Sequence, residues 1–472
     1  MDLLRVKPVE ATSEENPLRA ELGGFQLTLL GIGCIVGTGI FVITGTAAAE
    51  HAGPAIVLSF LLSALGCLCA GFCYAELASM IPLCGSAYTY AYSTIGEIFA
   101  WIIGWDLILE YLVGSATVAV GWSGYVVSFL SGLGIQFPAA LCNAPLVFTE
   151  RWALSGAIIN LPAVLVVLAV TLVLILGIRE TAGVNAIIVA IKLVIIVLFV
   201  GFCFPHVHPE NWVPFIPPTT GFGHFGWTGI MAGAGVIFYA YIGFDAVTTA
   251  AQETKNPQRD LPIGILGSLI VCTILYVLVS LVLTGVVNYK QLDVPAPVAY
   301  AIQQVGPSVA WLRPLVELGA IAGITSVILV LLLGQPRIFY RMAADGLLPG
   351  VFAKIHSKFR TPHITTAVTG ILSATLAGLF PIGVLSELVS IGTLLAFVIV
   401  CISVIVLRKT RPDLPRLFKA PLVPLLPIAG VILCFAQMVF LPPPTWIRLA
   451  IWLVIGLAIY FFYGYRKSRL NG

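Results

Sequence analysis

Charge is scarce in this chain. Asp, Glu, Lys and Arg make up 10% of its 472 residues, and 59% are hydrophobic; a soluble domain carries roughly 25% charged residues. That excludes a water-soluble globular protein and leaves an integral membrane protein. Long basic runs are missing, so nucleic-acid binding is not expected. Alternating strand patterns are missing as well, which excludes a transmembrane barrel and leaves helices, the one other structure that satisfies its own backbone in hydrocarbon. The 10 Cys have no C-x-x-C spacing and fall mostly inside apolar runs, as at Cys67, Cys69 and Cys73, so they read as small buried hydrophobes. With only 6 His, three of them in one loop (His206, His208, His224), no metal set or nucleophile constellation forms. No catalytic residue, metal or cofactor is expected, and the chain reads as no enzyme. The N-terminus, MDLLRVKPVEATSEENPLRAEL, lacks a signal-peptide core and reads as a cytoplasmic arm.

What is present is a series of apolar segments, each close to the roughly 20 residues that span a bilayer. They predict an all-α polytopic protein with twelve spans: an arm over 1–24, five spans over 25–204, an extracellular Pro- and His-rich loop over 205–227, five more spans over 228–407, two final spans over 408–464 and a cytoplasmic tail over 465–472. The Lys and Arg residues test the count. Outside the membrane all of them except Arg151, Lys290, Arg313 and Arg448 fall on the side of both termini. This is the positive-inside pattern, with both ends cytoplasmic.

The first span holds the most unusual stretch, LLGIGCIVGTGIFVITG over Leu29–Gly45. Interior glycines cost a helix roughly 0.5–1 kcal/mol each relative to Ala. Two readings compete within the stretch. Gly31, Gly33, Gly37 and Gly39 can serve close helix packing, or the helix can break at Gly37-Thr38-Gly39 and direct backbone N–H groups at an anionic group. A second interruption, Tyr239-Ala-Tyr-Ile-Gly-Phe-Asp245, lies five spans later. Paired interrupted spans at matching positions of two five-helix units point to a transporter built from inverted repeats.

A break in the first span lets Thr38 and the N–H groups of Gly37 and Gly39 receive a carboxylate, while the Ile35 carbonyl suits an ammonium. A break at Ile242-Gly243 presents further carbonyls from Tyr239, Ala240 and Ile242, with Phe244 or Tyr239 as a cover. Together they match the two ends of a free α-amino acid. Lys192 lies about 13 Å along its helix from Gly183, so snorkelling to the surface is strained. An interior Lys192 could bond the carbonyls freed by the first break, and could titrate in proton coupling. Glu110 follows Asp106 by four residues on one helix face, a candidate polar water path. Asp245 either caps a half-helix or relays protons.

Five blocks carry a resemblance: GIGCIVGTGIF at Gly31–Phe41, GWDLILEY at Gly104–Tyr111, NAIIVAIKL at Asn185–Leu193, FYAYIGFDAVTTAAQETKNPQRDLPIGI at Phe238–Ile265 and GQPRIFYRMAADGLLP at Gly334–Pro349. In this order they resemble the amino acid–polyamine–organocation (APC) superfamily of secondary transporters, and look closest to bacterial relatives of the cationic amino acid transporters. The resemblance implies the LeuT-like five-plus-five inverted repeat with two added C-terminal helices, alternating access, and amino acid uptake with protons. It implies a substrate carboxylate at Thr38 and Gly39 and an amino group on carbonyls of Ile35, Tyr239, Ala240 and Ile242. Lys192 would occupy the place of a sodium ion in sodium-coupled cousins, and Glu110 would match an acid that matters for transport.

The side-chain subsite is expected to draw on Ser326 to Leu332, SVILVLL, apolar with one hydroxyl. This favours small neutral L-amino acids such as alanine, with broad tolerance, since an apolar wall discriminates by only about 1–3 kcal/mol per methylene. A cationic arginine or lysine carrier, or an exchanger of the same fold, stands as the alternative. The expected partners are a free L-amino acid, protons and membrane lipids in a bacterial plasma membrane, the chain being a monomer or paired with a small accessory membrane subunit.

Overall fold

The computed structural model describes residues 4–7, 22–81, 86–148, 151–177, 182–251, 254–356 and 361–471. Most of the 1–24 arm and the Arg179-Glu180 connection lie outside the described residues, as do parts of the loops at 82–88, 252–260 and 341–362. Apolar composition produces helices almost throughout. In chain order these are α1 (Gly24–Ile35), α2 (39–52), α3 (Ile56–Met80), α4 (Ser86–Thr94), α5 (Glu97–Gly132), α6 (Leu161–Ile175), α7 (Ala182–Cys203) and α8 (Gly226–Ile237). There follow α9 (Ala246–Thr249), α10 (Pro257–Val286), α11 (Pro297–Val305), α12 (Leu312–Ala344), α13 (His363–Leu379), α14 (Ile382–Thr410), α15 (Leu425–Val439) and α16 (Pro443–Ile459). One small antiparallel hairpin, β1 (Leu146–Phe148) with β2 (Trp152–Leu154), lies between α5 and α6 and pairs Val147 with Ala153.

Eight helices among the described residues are long and apolar enough to cross a membrane, and four shorter apolar ones accompany them. The chain is therefore a multi-pass membrane protein. The expected twelve full-length spans are not all present as such. The first is split into α1 and α2, while α6 and α15 have 15 residues and α13 has 17. At 1.5 Å per residue these three rise about 22–26 Å, short of a hydrocarbon core of about 30 Å.

The helices are inside-out relative to a soluble bundle. On α7 the buried positions are Asn185, Val189, Lys192, Ile195, Ile196, Phe199 and Cys203, recurring every three or four residues along one face, while Ile187, Ile191, Val194 and Val197 are exposed. An apolar outer face with a buried lysine on the inner one is what a lipid solvent selects. α1 lies along α10, α5 lies beside α12 and α14, and α7 bridges α1 and α12. α16 docks on α5 through stacked rings, Trp105 and Trp452 at 4.6 Å, with Trp101 Nε1 donating to the Gly456 carbonyl at 2.9 Å.

Both termini meet at one end of the bundle. Arg5 pairs with Glu97 at 3.1 Å and Lys7 with Asp345 at 2.7 Å. Tyr460 and Ser468 hydroxyls also donate to Glu97. A second buried acid, Glu76, joins α3 to α14 by a two-bond grip from Arg408 at 2.9 and 2.6 Å and accepts from the Ala420 N–H at 2.7 Å. A buried carboxylate is tolerated only with this kind of pairing.

Candidate functional site

The first helix breaks, one residue before the expected point. α1 ends at Ile35, Val36 is extended (φ −75°, ψ 93°), and Thr38 already has helical angles at the start of α2. The glycines divide between the two readings. A Cβ on Gly31 or Gly33 would run into Ser268 of α10 or Val189 of α7, so these two serve packing. Gly37 and Gly39 flank the break, and a Cβ on Gly39 would overlap Ala240.

The second interruption is also present. α8 tightens into a 3-10 turn at Phe238–Tyr241, Ile242 is extended (ψ 138°), and Gly243 has φ +115°, a left-handed angle that disfavours any side chain. A Cβ there would sit 3.0 Å from Cys34 Cβ. The two breaks thus touch each other twice, Gly39 against Ala240 and Gly243 against Cys34.

Freed carbonyls find donors. Lys192 Nζ donates to the Gly33 carbonyl at 2.8 Å and the Val36 carbonyl at 3.0 Å, and the side chain is fully buried. Its stem runs over Gly323 of α12, where a Cβ would lie 2.7 Å from Lys192 Cε. The Ile35 carbonyl, expected to be open, accepts from the Tyr276 hydroxyl at 2.8 Å, and the same hydroxyl lies 2.6 Å from the Ala240 carbonyl. A phenol has one proton, so Tyr276 serves these two carbonyls in turn. Sequence reasoning missed Tyr276; its signal is a lone hydroxyl-bearing ring among the aliphatics of α10.

Thr38 Oγ1 and the Tyr239 hydroxyl are 3.2 Å apart, both buried. Around them lies a central cavity of only about 20 Å³, lined by Ile35, Gly37, Thr38, Gly39, Glu110, Tyr239 and Ile242, with Val118, Val327 and Leu331 as its aliphatic wall. That is room for about one water. Beyond Thr38 a larger cavity of about 640 Å³ extends past Gly121 to Asn160 and Asp293. A wider surface cleft of about 1120 Å³ at Lys255–Gly267 and Leu417–Phe418 touches neither break.

Two of the residues selected from the sequence for substrate binding stand outside the central cavity. Ala240 is packed under Gly39, and the Ser326 hydroxyl turns back to the Gly323 carbonyl of its own helix at 3.0 Å. The next residue, Val327, takes the lining position. Glu110 sits in a π-helical turn, Leu109–Val113, a widening common at functional sites. Its Oε2 accepts from Thr393 at 3.3 Å, and its carboxyl lies beside that of Asp245. Asp245 makes no side-chain cap bond to α9 and accepts instead from the Tyr111 hydroxyl at 3.3 Å. Phe244 packs away from the cavity, against Tyr74 and Phe397.

Residues 22–461 match the amino acid permease family model. The chain belongs to the amino acid permease family. It is 49% identical to the branched-chain amino acid permease BcaP of Bacillus subtilis over 98% of this chain and 97% of that one. It is 46% identical to the methylthioribose transporter of the same organism over 99% of both. This permease is thus, by its family, an APC-superfamily secondary transporter of amino acids across a lipid membrane and not an enzyme.

The expected place beside the cationic transporters is corrected. The vacuolar cationic amino acid transporter 4 of Arabidopsis thaliana is 39% identical, over 87% of this permease and 67% of its own length, behind both Bacillus proteins. The five motif blocks misled on this point for a physical reason. They encode the helix breaks and their supports, which belong to the shared fold and not to any one substrate class.

Proposed function

We propose that the permease takes up small and branched neutral L-amino acids by proton symport, with the substrate held between the two helix breaks. The aliphatic wall of Val118, Val327 and Leu331 carries this reading. Burying a guanidinium or ammonium against it would leave a charge unpaired, at a cost of several kcal/mol, whereas a neutral aliphatic side chain gains from it. In this reading the carboxylate lies at the start of α2, where Thr38 and the first N–H groups lack intrahelical acceptors. The ammonium meets carbonyls of Ile35, Tyr239, Ala240 and Ile242, taking over from the Tyr276 hydroxyl. Lys192 holds the first break as a fixed cation would, and Glu110 with Asp245 carries the coupling proton. The name of the 49% identical relative, a branched-chain permease, agrees with this substrate class.

The same reading includes the topology. α1 with α2 forms one crossing, and the 42-residue stretch Gly39–Met80 rises about 63 Å if straight, twice a bilayer core. It folds at Gly53 (φ +60°), which separates that first crossing from α3. Counting α6, α13 and α15 as short crossings gives twelve, grouped as 25–204, 228–407 and 408–464. The breaks then fall in the first and sixth crossings, as two inverted five-helix repeats require, and the positive-inside pattern places both termini in the cytoplasm of a bacterial cell.

The test is a competition panel on proteoliposomes holding purified permease: twenty L-amino acids, polyamines and 5-methylthioribose against labelled L-valine uptake driven by a pH gradient without Na⁺. Alanine, valine, leucine and isoleucine should compete, and arginine, lysine and polyamines should not. Stronger competition by arginine or lysine refutes the neutral reading. Preference for 5-methylthioribose would assign the permease the substrate class in its 46% identical relative's name.

A further inference from the structure

One buried carboxyl has no part in the site described so far. Asp106 is 1% exposed, and neither of its oxygens has a hydrogen-bond partner among the described residues. A second fully buried side chain shares this condition: Gln335 of α12 leaves both its amide oxygen and its amide nitrogen unpartnered. Buried polar groups are otherwise nearly always bonded, and each exception calls for an explanation.

Their placement supplies one. α5 and α12 run antiparallel. A Cβ on Gly104 would be 2.9 Å from the Met342 side chain, and one on Gly114 would be 3.6 Å from Leu331. Between these two contacts the register puts Gln335 level with Glu110, and Asp106 one turn nearer the Met342 end. Asp106 and Glu110 lie four apart on α5, on one face, and Glu110 is within the electrostatic reach of Asp106. The Met342 end is the one that carries both termini. Tyr88 packs at Gly104 and its hydroxyl donates to Asp345 at 2.9 Å, and Asp345 in turn holds Lys7.

We propose that Asp106 is the proton-relay residue between Glu110 and the termini-bearing mouth of the permease, with Gln335 as the polar group that orients the transfer. The proposal rests on the reading of Glu110 as the coupling acid. Asp106 gives up its proton to water at the mouth by Tyr88 and Asp345, its O–H bond breaking as a hydronium O–H forms. The Glu110 O–H bond then breaks as a new O–H forms on Asp106, leaving Glu110 as a carboxylate beside the Thr393 hydroxyl. No other species is consumed. The surrounding titratable groups have other engagements: Asp245 with Glu110 and Tyr111, Glu97 with Arg5, Asp345 with Lys7 and Arg341. Tyr74 and Tyr90 pack ring to ring on α3 and α4.

The experiment compares D106N, Q335L and E110Q in proteoliposomes, using labelled L-valine and an internal pH dye. Each variant is assayed for uptake driven by a pH gradient, for substrate-linked proton entry, and for counterflow exchange with no gradient. D106N should lose at least tenfold of gradient-driven uptake and of proton entry while counterflow stays within about threefold of wild type; Q335L should show the same split more weakly. Unchanged driven uptake in D106N, or loss of uptake and counterflow together in a well-folded variant, overturns the proposal. If E110Q retains full proton-driven uptake, the reading of Glu110 fails instead, whatever D106N does. Should D106N not insert, D106E replaces it: a relay keeps uptake within about threefold and shifts its pH profile, and an unshifted profile overturns the proposal.

Discussion

Replacing Lys192 by Met tests the coupling site most directly, because Met keeps the length of the stem over Gly323 and removes only the ammonium. The two bonds it loses, 2.8 Å to Gly33 and 3.0 Å to Val36, join a charged donor to buried carbonyls, a class worth about 1.5–3 kcal/mol each. Opposing this, the buried ammonium carries a desolvation cost of several kcal/mol that disappears with it. The difference leaves a net destabilisation of about 1–3 kcal/mol, small enough for the bundle to persist. Function should respond far more. With no cation at the break, uptake driven by a pH gradient should fall at least tenfold and lose its pH dependence, while counterflow of L-valine persists at reduced rate. The assay is paired uptake and counterflow in proteoliposomes, with thermal unfolding of the purified variant as the fold control. If K192M keeps gradient-driven uptake with an unaltered pH profile, Lys192 is a staple for α1 and has no role in coupling.

Four further substitutions probe the proposed substrate site. G39A should abolish L-valine binding in a thermal-shift assay, since its Cβ overlaps the Ala240 backbone of the facing break, whereas G37A, whose Cβ lies 3.1 Å from a movable Val327 methyl, should bind within about tenfold of wild type; equal binding by both refutes the packed-break geometry. Y276F removes the one hydroxyl shared by the Ile35 and Ala240 carbonyls, so it should cost about 1 kcal/mol of stability and alter the KM for L-valine, and an unchanged KM would separate those carbonyls from substrate. V327D places an acid in the aliphatic wall and should let L-lysine or L-arginine compete with L-valine at least tenfold better than in wild type; no gain in cationic competition would show that Val327 does not face the substrate side chain.

Much of this architecture was legible in the chain because a bilayer imposes strong rules. Scarce charge, apolar segments and the placement of Lys and Arg point to a multi-pass helical protein, and interior glycines at Gly37 and Gly243 mark both breaks. Other features left no trace in composition or periodicity. The π-helical turns at Gly39–Ile43 and Leu109–Val113 arise from how a helix accommodates its neighbours, which no local residue pattern encodes. The Leu146–Leu154 hairpin forms from three-residue strands, too short for alternation to register. The 15-residue α6 and α15 looked like ordinary spans because hydropathy reports apolar length, and helix ends are set by packing and capping.

The most instructive single residue lies on α12. The one hydroxyl in Ser326–Leu332 was the natural choice for a binding group, because polar side chains in membrane helices usually mark function. A serine, however, can satisfy itself on its own helix, and Ser326 does so on Gly323. In a helix one residue is a rotation of about 100°, so when Ser326 turns inward to its own turn, Val327 faces the breaks, and Leu331, four residues on, joins it. The polarity of the proposed subsite therefore follows from rotational phase. Lys192 packs near that face: its stem crosses α12 at Gly323, where a Cβ would collide with it, three and four residues before Ser326 and Val327. The residue that grips the first break from α7 thus also packs on α12 one turn from the side chains that the proposed substrate would meet.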